Sequence, residues 1–175
     1  MYWFDSAYEA VSRFMDMGGD VLWAIAVLLF LMWALIFERI LYFQSGWKAD
    51  VGRIIATWES RSERQSWNAR QIREKMISQA SMLINQYLPI IKTLVALCPL
   101  LGLLGTVTGM IEVFNIMAVT GGGDAKSMAG GVSRATVPTM AGMVAAISGL
   151  FANTYITRNA KRQSQFLEDN LTMDH

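Results

Sequence analysis

Two polar pairs interrupt the long uncharged stretches of this chain, Thr106 with Thr139 and Glu112 with Arg134. If the two stretches form antiparallel helices meeting near Gly123, residues at equal distance from that turn lie at equal depth, which brings each pair together. The threonines then form a layer roughly 8 to 9 Å beyond the charged one, at about 1.5 Å per residue. Inside a membrane an ionisable side chain is made tolerable by an opposite charge, supplied by the same chain or by a neighbouring copy, so Glu112 and Arg134 read as a structural ion pair. A threonine hydroxyl has two uses there. It can bond back to a carbonyl of its own helix, or it can offer a hydrogen bond to something in a cavity. Covalent and metal chemistry is poorly supplied. The one histidine is His175, the one cysteine is Cys98, and no carboxylate cluster has the spacing of metal ligands. Cys98 reads as a small buried hydrophobe. Gly121, Gly122 and Gly123 form a turn rather than a phosphate loop, because no strand precedes them.

The elements that carry these residues are membrane spans. Thr93 to Ile111 and Ala135 to Thr157 contain no charged residue, and Val21 to Phe37 forms a third such run, edged by Trp23 and Tyr42. With 53% hydrophobic and 17% charged residues, the 175-residue chain has too little polar surface for an ordinary soluble globule. Lys and Arg number one in residues 1–20, nine in 38–92, two in 112–134 and three in 158–175. By the positive-inside rule, the 38–92 segment and the tail lie in the cytoplasm, with the N-terminus and the Gly-rich turn outside. The expected fold is an all-α membrane protein with three transmembrane helices and long cytoplasmic helical extensions. Its parts are an outer amphipathic helix (1–20), a first span (21–43), a cytoplasmic helical segment (44–92), a second span (93–118), a Gly-rich turn (119–131), a third span (132–157) and a cytoplasmic tail (158–175).

Periodicity refines this outline. Phe4, Ala7, Tyr8, Val11, Phe14 and Met15 make residues 2–17 an interfacial helix that turns into the first span at Gly18-Gly19. Ile72, Met76, Ala80, Leu83, Tyr87 and Ile91 form a helical stripe that reads as packing. That helix is expected to run unbroken into the second span, with any kink near Pro89 or Pro99. On the third span Val132, Thr136, Thr139, Met143, Ala146, Leu150 and Asn153 share one uncharged stripe. The matching stripe on the second is Pro99, Leu103, Thr106, Met110, Val113 and Met117. Thr139 lies about 140° around its helix from Arg134, and Thr106 about 120° from Glu112, so the two polar layers cannot face one cavity. Gly102, Gly105, Gly109, Ala141, Ala145 and Gly149 are small enough for close helix contact. Arg158, Lys161 and Arg162 sit where anionic phospholipid head groups would meet them. Asp174 and His175 read as a frayed end.

The strings Pro99 through Met110 and Gly131 through Ala146, at this separation, resemble the ExbB/TolQ family of proton-channel proteins, which is distantly related to MotA. The likeness spans almost the whole chain and is nearest to short ExbB proteins of TonB systems. It implies a homopentamer in the bacterial inner membrane, whose second and third spans surround an ExbD dimer in a central pore, with TonB as the output partner. No nucleic acid, cofactor or enzymatic step is implied. Thr106 and Thr139 match the family's pore threonines, and Thr136, Met110, Met143, Ala146 and Leu150 would line the same pore. Arg134 stands where the family often carries glutamate. With no titratable group on the pore stripes, the resemblance implies that an acidic residue of the partner carries the proton. A TolQ-like subunit serving envelope integrity, an autonomous channel and a structural scaffold are the other readings.

Overall fold

The computed structural model describes residues 2–121 and 125–172, and every element in them is helical. These are α1 (Tyr2–Leu41), a π-helical turn (Tyr42–Gly46), α2 (Trp47–Glu59), α3 (Trp67–Asn85), α4 (Leu88–Thr120) and α5 (Ala125–Asn170). Three helical stretches are long and apolar enough to cross a membrane: Gly18–Glu59, Trp67–Val119 and Met128–Asn170. Gly123, Asp174 and His175 lie outside the described residues, as do the side chains of Phe4 and Ala7.

The chain forms two compact units, one of Met1–Trp33 with Thr93–Leu150 and one of Ala34–Lys92 with Phe151–His175. In the first, apolar unit, α1 breaks at Gly19, whose φ of 62° lies in the left-handed region open to glycine, where the Gly18-Gly19 pair was expected to turn. Beyond it Leu22, Ile25, Leu28 and Met32, one face of a helix, are buried, with Val95 and Cys98 of α4 and Ala135 and Ala145 of α5. The opposite face stays open, Phe30 and Val144 among it. Apolar surface of this extent requires lipid or other chains around it.

The second unit carries most of the charge and is closed by tryptophans and arginines. Trp47 and Trp58, which fall in the most polar part of the sequence, are buried. Trp47 Nε1 donates to Gln163 Oε1 at 2.9 Å and Trp58 Nε1 to the Thr172 carbonyl at 2.9 Å. The Arg73 guanidinium donates to the carbonyls of Glu168 and Leu171, placing a cation on the free carbonyls of the α5 C-terminus. Leu167 and Leu171 are buried beneath these bonds.

Two boundaries differ from expectation. The cytoplasmic helix does not run unbroken into the second span, because Gln86 (ψ 136°) and Tyr87 (φ 64°) leave the helix between α3 and α4. Pro89 is the cause: in a continuous helix its ring would strike the carbonyl of Asn85, so the helix must end there and restart with proline in its first turn. Pro99 leaves α4 unbroken. The Gly-rich turn is also shorter than residues 119–131, since α4 extends to Thr120 and α5 begins at Ala125. Gly130 and Gly131 are helical, and Gly131 is taken up in packing, where Val113 occupies the space of its missing Cβ.

Arg39 locks the α3–α4 break. It is 2% exposed, donates from Nη1 to the Leu83 carbonyl at 3.1 Å, and lies between the rings of Tyr42 and Tyr87, 5.1 and 4.9 Å from their centroids. Arg39→Ala leaves that carbonyl and the cavity unfilled and should cost roughly 1–3 kcal/mol, read as a lower melting temperature in detergent. Arg39→Lys should recover only part, since an ammonium cannot stack flat between two rings.

Candidate functional site

The contact between α4 and α5 is built on residues without side-chain bulk. A Cβ on Gly102 would lie 3.0 Å from the Pro138 carbonyl oxygen and 3.0 Å from the Thr139 Cα, and one on Gly109 would lie 2.7 Å from the Ala135 Cα. At Gly105 it would strike the Pro138 ring. Gly149 packs against Met32 and Val95, Ala145 is buried and Ala141 half-buried, so all six small residues picked out by spacing sit in or beside close contacts. Spacing alone missed their partners, Pro138 and Ala135, as well as Gly142, which lies against the Cys98 carbonyl. Opposed pairs such as Gly109 with Ala135 follow the antiparallel register expected of the hairpin to within one turn. Cys98 is buried, as expected of a small hydrophobe, and its thiol donates to the Leu94 carbonyl.

The threonine hydroxyls bond to backbone carbonyls. Thr106 Oγ1 donates to the Leu103 carbonyl of its own helix at 2.7 Å, and Thr136 Oγ1 to the Ser133 carbonyl at 2.9 Å. Thr139 Oγ1 instead crosses between helices and donates to the Gly102 carbonyl at 2.9 Å. Glycine at 102 is what lets that carbonyl come within reach. On the stripe of α5, Val132, Thr136, Met143 and Leu150 are exposed, with Thr139 and Ala146 half-buried. On α4, Leu103 is exposed and Thr106, Met110 and Met117 half-buried. Val113 departs from its stripe and is buried against Gly131.

Glu112 and Arg134 come together as expected of the register, lining two cavities of about 360 and 220 Å³. They do not close to a direct ion pair, and no bond between them occurs among the described residues. The larger cavity adds Asp16 and Asp20, which no spacing joins to this pair, with Gly18 and Gly19 at the bend of α1. Three carboxylates and one guanidinium thus line the same cavity. If Glu112 and Arg134 meet across copies of the chain, Glu112→Arg or Arg134→Glu alone should reduce assembly, and the two together should restore it. Size-exclusion profiles of the single and double variants provide the check; failure of the rescue removes the pairing. Arg158, Lys161 and Arg162 are exposed on α5.

The sequence profile of the MotA/TolQ/ExbB proton channel family matches residues 42–169. The chain belongs to this family. It is a membrane protein of the ExbB type, all-helical in its described residues. Among curated proteins, it is 48% identical over 64 residues to an ExbB-like biopolymer transport protein of Synechocystis sp., covering 35% of this chain and 25% of that protein. A second ExbB-like protein of the same organism is 38% identical over 76 residues, covering 42% of this chain and 36% of the relative. The biopolymer transport protein ExbB of Helicobacter pylori is 36% identical over 77 residues, covering 44% and 53%. The matched regions thus span from a quarter to about half the length of these ExbB-type relatives.

Proposed function

We propose that this ExbB-type chain is an inner-membrane subunit of a motor driven by the proton motive force. In it α4 and α5 of several copies, five by the family resemblance, surround the transmembrane helices of an ExbD-like partner, and TonB carries the work to outer-membrane receptors. The N-terminus and the α4–α5 turn face the periplasm, and the charged unit faces the cytoplasm, following the distribution of Lys and Arg. The carrying observation is the pairing of a proton-channel family match with helix faces that hold no titratable group between Pro99 and Leu150 on the threonine stripes. Such faces cannot relay a proton alone, so the partner must bring the carboxylate.

The threonine geometry gives that carboxylate a preference. Carbonyl oxygens only accept, so the hydrogens of Thr106, Thr136 and Thr139 point to Leu103, Ser133 and Gly102. What the hydroxyls offer to the pore is oxygen lone pairs. Those accept a hydrogen bond from a protonated carboxylic acid and give nothing to a carboxylate, which has no hydrogen to donate. Low dielectric already favours the neutral acid, and the oxygens add to that preference. Protonation would admit the acid to the threonine layer and deprotonation would expel it. The partner helix moves with that change.

Proton flux into liposomes separates the readings. The chain alone should be silent, and co-reconstitution with the ExbD-like partner should open a flux driven by a pH gradient. Robust flux from the chain alone would overturn the partner-borne proton and favour an autonomous channel. The three relatives carry ExbB-type names, which the family resemblance links to TonB systems. Loss of siderophore-type uptake on deletion, with the envelope intact, is the outcome expected of the TonB-linked version.

A further inference from the structure

In the unit of Ala34–Lys92 with Phe151–His175, the stripe that reads as packing is closed only in part. Ala80 is buried, but Ile72, Met76 and Leu83 floor an open groove of about 530 Å³ between α2 and α3 together with Ile54. Asp50, Arg53 and Lys75 form its rim. Asp50 already pairs with Arg53 and accepts a bond from the Tyr42 hydroxyl at 3.0 Å, whereas Lys75 makes no ion pair among the described residues.

A second patch lies on α5. Ala160, Gln163, Leu167 and Leu171 turn one face of that helix into the unit, and Phe166 and Asp169, three residues apart, share the exposed flank beside it. Phe166 is 51% exposed. Asp169 makes no ion pair among the described residues.

Hydrogen bonds within the unit fix the level of each patch. Trp47 to Gln163 and Trp58 to Thr172 tie α2 and α5 side by side and parallel, which sets Asp50 level with Phe166 and Ile54 level with Asp169. Arg73 bonds the carbonyls of Glu168 and Leu171, which brings Lys75 and Met76 to the same height. Groove and flank are therefore different surfaces at one depth. A cyclic assembly about the membrane normal relates its copies by rotation alone, so each residue meets its neighbour at its own depth, and ring closure joins two different patches.

We propose that the α2–α3 groove of one copy receives the α5 flank of the next, with Phe166 seated on Ile54, Ile72 and Met76 and Asp169 opposite Lys75. The contact rests on the ring-forming reading above. It has the anatomy of a protein interface, an aromatic anchor in an apolar pocket with a charge pair at the edge.

Cysteine crosslinking of the full chain in membranes tests it. Phe166→Cys together with Met76→Cys should give a ladder of multimers on oxidation, and either alone should leave monomer, because the contact joins unlike patches. Adding Asp169→Lys should cut the crosslinked fraction about two- to fivefold, the range of an exposed ion pair, and Lys75→Asp in the same chain should restore it. Absence of a ladder while native mass spectrometry shows an intact oligomer overturns the groove contact and spares the ring. A monomeric wild-type chain overturns both. Dimers from Phe166→Cys alone would replace the contact by a symmetric one and also overturn it.

Discussion

Gly105→Leu is expected to abolish the α4–α5 contact. A Cβ at this position already runs into the Cβ and Cγ of Pro138, and Val21 of α1 stands 3.3 Å away on the remaining side. A flexible side chain would yield, but a proline ring inside a helix has no alternative rotamer. Helix association in lipid depends on such close approach, since burial of apolar surface adds little there. Overpacking of this kind costs typically 1–3 kcal/mol and more where the neighbour is rigid. The expected result is loss of a monodisperse species in detergent and of the cooperative thermal transition. Gly130→Ala supplies the control. No atom lies within 4 Å of its missing Cβ, so the substitution should be neutral or stabilising by up to about 1 kcal/mol through helix propensity. Equal behaviour of the two variants would refute the packing argument.

Thr139→Val should leave the fold standing and, on the proposed mechanism, sharply reduce proton flux. Valine has nearly the shape of threonine and removes only the bond to the Gly102 carbonyl, a cost of about 1 kcal/mol. The functional loss is larger under the proposed mechanism, in which the pore loses an acceptor for a desolvated carboxylic acid. An unsatisfied buried donor costs roughly 1–3 kcal/mol. That corresponds to a proton flux lower by about five- to 150-fold. Thr139→Ser keeps the oxygen and should retain most of the flux. Partner-dependent flux in liposomes, normalised to assembled complex, is the measurement. Equal flux from the valine and serine variants would leave the oxygen-acceptor mechanism without support.

What could be read from the chain follows from which interactions repeat along it. The small residues at 102, 105 and 109 fall at helical spacing, so their shared face was legible in the sequence, whereas the threonine register was not: Gly102, one turn from Thr106, is the residue that stands opposite Thr139. The partners of the small residues were not legible either. Pro138 and Ala135 become contact surfaces only once two helices meet, and no periodicity of one strand of sequence encodes the meeting. A kink was expected near Pro89, and the full break falls just upstream of it for a local reason: the effect of the proline falls on the Asn85 carbonyl, four residues earlier. Trp47 and Trp58 lay in polar sequence, and their burial depends on partners more than 100 residues away, Gln163 and Thr172. Asp16 and Asp20 joined Glu112 and Arg134 for the same kind of reason. A bend at Gly19 brings an acidic segment to a cavity formed by two other helices.

The clasp formed by Trp47, Trp58 and Arg73 has a consequence for how the protein is made. Its acceptors lie between residues 163 and 172, which leave the ribosome after both later spans. Residues 34–92 therefore wait, with two tryptophans and an arginine unpaired, until α5 has been threaded across the bilayer in the correct direction. On the proposed orientation, a copy in which the third span inserted backwards, or failed to insert, would leave those side chains unpaired on the cytoplasmic side. The clasp can therefore close only after residues 163–172 have been made and brought beside α2 and α3.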